Sequence, residues 1–154
     1  KAKKKKNLRM RNDPGFHMSE RIRVALTLVL TGHRRGRHSS KLKKFCCFTN
    51  FDELKQHFES LFAPGMTWSN RGEWHIGHRI AKSMYQCTEA DLVRAWDKSN
   101  LFPQWAHENL SLGVKLPSDD ELLKLQHLWP LNWNGKLPSL RMRSVYETIA
   151  RGRV

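Results

Sequence analysis

The chain has 154 residues, with 28 Lys and Arg against 14 Asp and Glu, which gives a formal charge of +14. That length suits one domain with extensions better than two full domains, and the hydrophobic share of 39% is enough for one modest core. The longest largely apolar run, residues 24–30, is far too short to cross a bilayer, and we expect no signal peptide behind the N-terminal lysines. These features exclude a membrane-spanning protein.

The cysteines exclude a second class, the small secreted domain held together by disulfides. Cys46 and Cys47 are adjacent, too close for an ordinary disulfide to join them, and Cys87 makes the total odd. No C-x-x-C pair is present, so a thiolate zinc site has little support. We predict three reduced, structural cysteines and an intracellular or organelle-matrix setting.

The positive charge is concentrated at one end of the chain. Residues 1–44 hold 15 Lys and Arg and two acidic residues, whereas the rest is almost neutral. A basic arm of this kind binds polyanions by releasing counterions, although a solvated tail is the alternative for residues 1–6. We therefore predict nucleic-acid contacts at the following positions: Lys3, Lys4, Lys5, Lys6, Arg9, Arg11, Arg34, Arg35, Arg37, Lys41, Lys43, Lys44, Arg79 and Lys115.

The first half of the chain predicts two helices. Residues 12–15 read Asn-Asp-Pro-Gly, a turn signal, and Ser19 then resembles a helix N-cap. Ile22, Ala25, Leu26, Val29 and Leu30 follow at helical spacing, and Gly32 ends the helix. The basic residues 33–44 are predicted to form an exposed loop. Asn50 and Glu53 form a predicted capping box for a second helix that stops before residues 63–65.

The second half alternates short elements. Residues 73–80 have strand character, Thr88 caps a short helix, and residues 100–105 form a second strand that Pro103 places at an edge. Residues 106–112 predict one or two helical turns. A capping box at residues 118–121 then begins a helix that runs to about residue 129, followed by a basic C-terminal extension.

Four tryptophans accompany these elements. We expect them to pack in the core rather than to stack on bases, because aromatic side chains at such positions are more often buried. They are Trp68, Trp74, Trp96 and Trp105.

The residues most suited to catalysis lie in one segment, which consists of the two predicted strands, the stretch between them and the helical turns that follow. His78 closes the first strand, Asn100 opens the second and Asn109 lies in the helix, an order that brings an imidazole and an amide oxygen to one point beside a phosphodiester. A neutral His with a pKa near the working pH can take a proton from water. A hard divalent cation such as Mg²⁺ or Mn²⁺ can neutralise the departing oxygen and prefers oxygen ligands.

These residues resemble the HNH endonucleases, and the surrounding sequence is similar to the HNH proteins of large DNA viruses and phages. The resemblance includes residues 53–59 and 65–68 and runs from about Asn12 to Leu116. It implies an α+β fold with a small ββα-metal core preceded by two helices and flanked by basic N- and C-terminal extensions. The implied organisation is a basic arm at 1–17, an HNH-like domain at 18–116 with its core at about 73–113, and a C-terminal helix and extension at 117–154.

The resemblance assigns roles to three side chains, while the fourth functional residue of the motif is absent from this sequence. His78 matches the general base, Asn109 the metal ligand of the helix, and Asn100 the middle Asn that holds the loop and the His in place. The metal-binding Asp of the motif falls on Gly77, which has no side chain. Without that carboxylate, cation binding should weaken severely unless His75 substitutes; Glu73, Glu108 and His107 are further possible ligands. The Pro expected after the strand is Ala81, and the two Lys expected after Asn-Leu are Ser111 and Leu112.

Three functions follow from these observations. The favoured one is a degenerate, inactive HNH pseudoenzyme that binds RNA as a structural component of a ribonucleoprotein particle, such as a mitochondrial or other organellar ribosome, beside other proteins and without a cofactor. The alternative is an active DNA endonuclease that uses Mg²⁺ or Mn²⁺ with His78 as base. The third is a DNA-binding accessory protein without catalysis. The organelle matrix is expected because the sequence begins with Lys rather than Met and carries basic extensions.

Overall fold

The computed structural model describes residues 2–32, 39–48, 50–112 and 115–152. This part is mixed α+β, mostly helical, with one two-stranded antiparallel sheet, which confirms the predicted class. None of its helices is both long and apolar enough to cross a membrane. The elements are α1 (Ala2–Asn12), α2 (Pro14–Leu30), α3 (Ser39–Cys46), α4 (Phe51–Ser60), β1 (Trp74–His78), α5 (Glu89–Trp96), β2 (Leu101–Trp105), α6 (Ala106–Leu112), α7 (Asp119–Lys124) and α8 (Leu140–Gly152).

Helix α2 begins earlier than the sequence suggested. Asp13 is its N-cap and accepts a hydrogen bond from the N–H of Phe16 at 2.9 Å, while Pro14 takes the first helical position that its ring favours. The prediction that Ser19 caps the helix was therefore wrong. Ser19 lies buried inside α2, where its hydroxyl accepts a hydrogen bond from the indole N–H of Trp96 at 3.1 Å.

The apolar stripe of α2 and three other predicted helix starts are confirmed. Ile22, Ala25, Leu26 and Leu30 are buried, and Val29 is partly buried against the core. Asn50, Thr88 and Ser118 cap α4, α5 and α7, and Ser118 does so with a complete capping box.

Two predicted segments, the loop at 33–44 and the helix that begins after residue 118, differ in extent from the structure. Within the predicted loop 33–44, residues from 39 onward belong to α3, because Leu42, Phe45 and Cys46 recur at helical spacing and are buried; residues 33–38 lie outside the described part. Helix α7 ends at Lys124 rather than near residue 129, since a 3₁₀ turn at Gln126–Leu128 follows. The C-terminal extension contains the 13-residue helix α8.

The two strands form an antiparallel hairpin, hereafter the hairpin, with a long connection between them. A helix follows the second strand directly. The register of the hairpin pairs Trp74 with Trp105 at one end and His78 with Leu101 at the other. Helix α6 starts at the residue after β2 and contacts both strands. The described chain thus contains the predicted strand–strand–helix order, with α5 in the excursion between the strands.

The tryptophans pack as predicted. Trp74 and Trp96 are buried, and Trp68 and Trp105 are partly buried against the core. Trp74 also donates its indole N–H to the carbonyl of Thr67 at 2.9 Å. These contacts confirm a core role for the four side chains.

A close approach near the start of α2 gives a stability prediction. A Cβ added to Gly15 would lie 1.9 Å from the backbone oxygen of Cys87. We expect Gly15→Ala to destabilise the protein by about 2 kcal/mol, because backbone must shift to admit the methyl group. Gly72→Ala is the control, since a Cβ at Gly72 meets nothing within 4 Å. Urea unfolding monitored by tryptophan fluorescence measures both, and equal stabilities would contradict the tight contact.

Candidate functional site

Asn100 fixes the end of β1 through hydrogen bonds from a fully buried amide. Its side-chain oxygen accepts from the N–H of Ile80 at 2.9 Å. Its amide nitrogen donates to the carbonyls of Ala95 at 2.9 Å and of Ile80 at 3.2 Å. The backbone carbonyl of Asn100 also accepts from the N–H of Arg79 at 2.8 Å. Asn100 therefore holds the residues that follow His78, and its position is that of a structural side chain rather than a reacting one.

His78 packs against α5 and is partly buried at the edge of the hairpin. Its ring meets the ring of Trp96 edge-to-face at a centroid distance of 4.8 Å. Its Nε2 atom is buried and has no hydrogen-bond partner within the described chain. Burial, and secondarily the charge of Lys82, lower the pKa of His78 from 6.5 to about 3. An imidazole with that pKa is neutral at physiological pH but is a weak acceptor for a proton from water.

The position of the missing Asp is filled from the opposite strand. Gly77 pairs with Phe102 in the register, and it is buried. A Cβ at Gly77 would lie 2.9 Å from the side-chain oxygen of Gln104 and 3.0 Å from the Phe102 ring. Arg79 places its guanidinium 5.3 Å from the centroid of the same ring. The space beside His78 that a carboxylate would use is thus occupied by a phenyl ring and an amide.

The side chains around Gly77 do not fit the hard divalent cation that HNH endonucleases, the family that the sequence resembles, are expected to bind. The amide nitrogen of Asn109 lies 3.4 Å from Nδ1 of His75, and both side chains are exposed. Within the ranges that the structure describes, no three His, Cys, Asp or Glu side chains group closely enough to hold a metal ion. An amide and an imidazole without a carboxylate are a poor ligand set for Mg²⁺ or Mn²⁺.

His78, Gly77 and Asn109 nevertheless open on one cleft of about 1270 Å³ between α1, the first turns of α2, the hairpin and residues 115–117. Positive charge predominates in the lining of the cleft, because eight basic residues and only two acidic residues, Glu20 and Glu121, are among the described residues that form it. Such a surface attracts phosphates. The basic residues are Lys3, Lys5, Lys6, Arg9, Arg23, Arg79, Lys82 and Lys115.

Glu20 organises three of these cations from three different segments. The carboxylate is buried and lies 2.5 Å from Lys6 of α1, 3.2 Å from Arg23 of α2 and 3.5 Å from Lys82 after β1. Burial raises the pKa of Glu20, but the hydrogen bond from Lys6 and the charges of Lys82 and Arg23 outweigh it and hold the pKa below its ordinary value. One negative charge therefore holds three positive charges together at the cleft.

The predicted nucleic-acid contacts divide into three groups. Lys3, Lys5, Lys6, Arg9, Arg79 and Lys115 line the cleft. Lys4 and Arg11 lie elsewhere on α1, and Lys43 and Lys44 on α3, where Lys44 pairs with Glu89 at 2.6 Å. Arg34, Arg35 and Arg37, with the side chain of Lys41, fall outside the described part.

Two basic residues of the cleft, Arg23 and Lys82, were not predicted from the sequence. Arg23 lies among the apolar residues of α2, and Lys82 follows the first strand without any motif around it. The one available signal for Arg23 was its spacing of three from Glu20, which places both on the same side of a helix.

Searches with the chain found no matching protein-family model, no matching curated protein and no matching solved structure. The geometry of the cleft and the residues that line it therefore carry the functional argument.

Restoring the missing carboxylate is a direct test of how far the site departs from a metal site. We expect Gly77→Asp to create no metal-dependent cleavage and to cost about 1–2 kcal/mol of stability, because Phe102 and Gln104 must move to admit the side chain. Plasmid nicking in Mg²⁺ or Mn²⁺ and urea unfolding measure the two effects. Gly77→Ala separates the cost of crowding from that of the charge. Cutting by Gly77→Asp, with none by the unmodified chain or by Gly77→Ala, would show that a carboxylate at this position is sufficient to create a metal-dependent site.

Proposed function

We propose that the chain is a nucleic-acid-binding protein built on a degenerate HNH-type core and serves as a structural RNA-binding component of a ribonucleoprotein particle, such as an organellar ribosome. One observation carries the proposal. The cleft that holds the motif residues is lined by eight described cations and two carboxylates, while Gly77 and Phe102 stand where the metal-binding group would be. Among the described residues, the cleft carries cations that attract phosphates, and a phenyl ring and an amide lie where the HNH motif has its carboxylate.

The basic helix α1 favours a scaffold over an enzyme. All of its described residues from Ala2 to Leu8 are exposed, and five positions on one side of it line the cleft. A nuclease must release its product, whereas a structural protein gains affinity from every phosphate contact that an arm adds. This difference is the reason for preferring RNA in a stable particle as the partner.

A metal-dependent DNA endonuclease is the second candidate. The observation in its favour is that His78 and Asn109 line the same cleft. It requires His78 to act as general base, which the low pKa of that side chain opposes.

Crosslinking in cells, followed by sequencing of the attached nucleic acid, tests the proposal. We expect crosslinks at a few fixed positions of one abundant structural RNA. Crosslinks spread over DNA would overturn it. The purified full chain is then incubated with DNA and RNA in Mg²⁺ or Mn²⁺ beside His78→Ala. Cleavage by the unmodified chain that His78→Ala abolishes would establish the endonuclease instead.

A further inference from the structure

We propose that the cleft binds a single-stranded segment of a few nucleotides, with phosphates on its cations and bases on Phe16 and Phe102. The inference rests on the proposed function and specifies the form of the nucleic acid. Three features of the cleft support it: its concave shape, its positive charge, and two aromatic rings that lie among the cations.

The shape of the surface favours a strand that enters the protein. Proteins that read a duplex insert a helix or a two-stranded ribbon into a groove about 12 Å wide, so the protein element is the convex partner. Here α1 and the hairpin form walls, and the cations point into the space between them. The volume of about 1270 Å³ exceeds the roughly 300–1,000 Å³ of a typical small-molecule pocket, which leaves room for more than one nucleotide.

The charge of the cleft sets how many phosphates it can neutralise. Eight basic and two acidic described residues leave a net of six positive charges on its lining. Three of the basic residues, Lys3, Lys6 and Arg9, recur at intervals of three along α1 and therefore follow one side of the helix. A strand lying along α1 can place successive phosphates beside them.

Two phenyl rings lie among the basic side chains that line the cleft. Phe16 of α2 and Phe102 of β2 both line it and are half-buried. The guanidinium of Arg9 lies 4.3 Å from the centroid of Phe16, and that of Arg79 lies 5.3 Å from the centroid of Phe102. Cationic grooves with aromatic side chains on which bases stack are the usual construction of single-strand-binding surfaces, and Arg planes also stack on bases.

The test compares a fluorescein-labelled single-stranded 12-mer RNA with an RNA duplex of the same sequence, using the full chain and fluorescence anisotropy. We expect the single strand to bind more tightly, with a slope of log K against log salt of about −4 for six neutralised phosphates. Phe16→Leu and Phe102→Leu should each weaken single-strand binding about tenfold and leave duplex binding unchanged. Phe51→Leu is the matched control, because Phe51 is an exposed phenyl on α4 outside the cleft lining.

The outcomes separate this inference from the proposed function. Duplex binding as tight as single-strand binding, or affinity unchanged in both cleft variants, overturns the single-strand inference and leaves nucleic-acid binding intact. Failure to bind either RNA near 0.1 M salt overturns both. Two separate phenyl positions keep the test valid if one variant does not fold, and circular dichroism identifies that case.

Discussion

Replacing Asn100 by Ala should destabilise the protein by about 3–5 kcal/mol. The substitution leaves the N–H of Ile80 and the carbonyls of Ile80 and Ala95 without their side-chain partner in a buried environment, and each unsatisfied buried group costs about 1–3 kcal/mol. Asn100→Asp should be at least as damaging, although it conserves shape, because a carboxylate has no N–H to donate to the two carbonyls. Urea unfolding followed by tryptophan fluorescence measures both variants.

Asn109 is the matched control for this prediction. It is the other Asn of the motif, but it is exposed and its nearest described side-chain partner is His75 at 3.4 Å. Asn109→Ala should therefore change stability by less than about 0.5 kcal/mol. If Asn100→Ala stays within about 1 kcal/mol of the unmodified chain, the hydrogen bonds around Ile80 do not support the loop after β1 as described.

The sequence predicted the local elements well because their signals are local. The caps at Asn50, Thr88 and Ser118 depend on a side chain and a backbone N–H three residues away, so they are visible in a short window. The strand–strand–helix order of residues 74–112 was predicted for the same reason. The error at Ser19 arose where two start signals competed, and the Asp13-Pro14 pair determined the boundary.

The chemistry of the site could not be predicted, because it depends on contacts between residues distant in the chain. The absence of an Asp at Gly77 was apparent in the sequence, but the ring of Phe102 over it follows from the strand register. The three cations around Glu20 come from three segments. The pattern that places His78 at a strand end also gave no indication that Trp96 of α5 would pack against its ring.

Acid should weaken the fold through His78, at a pH where most acid-sensitive groups have not yet titrated. The pKa of this side chain is about 3 in the folded protein and near 6.5 in the unfolded chain. Between these values the unfolded state binds more protons, so the free energy of unfolding falls as the pH falls. The slope approaches about 1.4 kcal/mol per pH unit well below pH 6.5, which amounts to about 2 kcal/mol between pH 7 and 5. That stability is fully present above pH 6.5.

The effect of His78 on stability occurs at a higher pH than that of the ion pairs of Glu20, so the two can be measured separately. The pKa of Glu20 is lowered from 4.5, so the stability that its ion pairs add is lost only below that pH. Urea unfolding at pH 7 and pH 5 should show the loss in the unmodified chain and about 2 kcal/mol less of it in His78→Phe. Phe retains an aromatic ring beside Trp96, and Nε2 of His78 has no hydrogen-bond partner to lose among the described residues. Equal pH dependence in the two proteins would place the pKa of His78 near its ordinary value. The ring would then be able to accept a proton at neutral pH, and the endonuclease would become the stronger of the two functions.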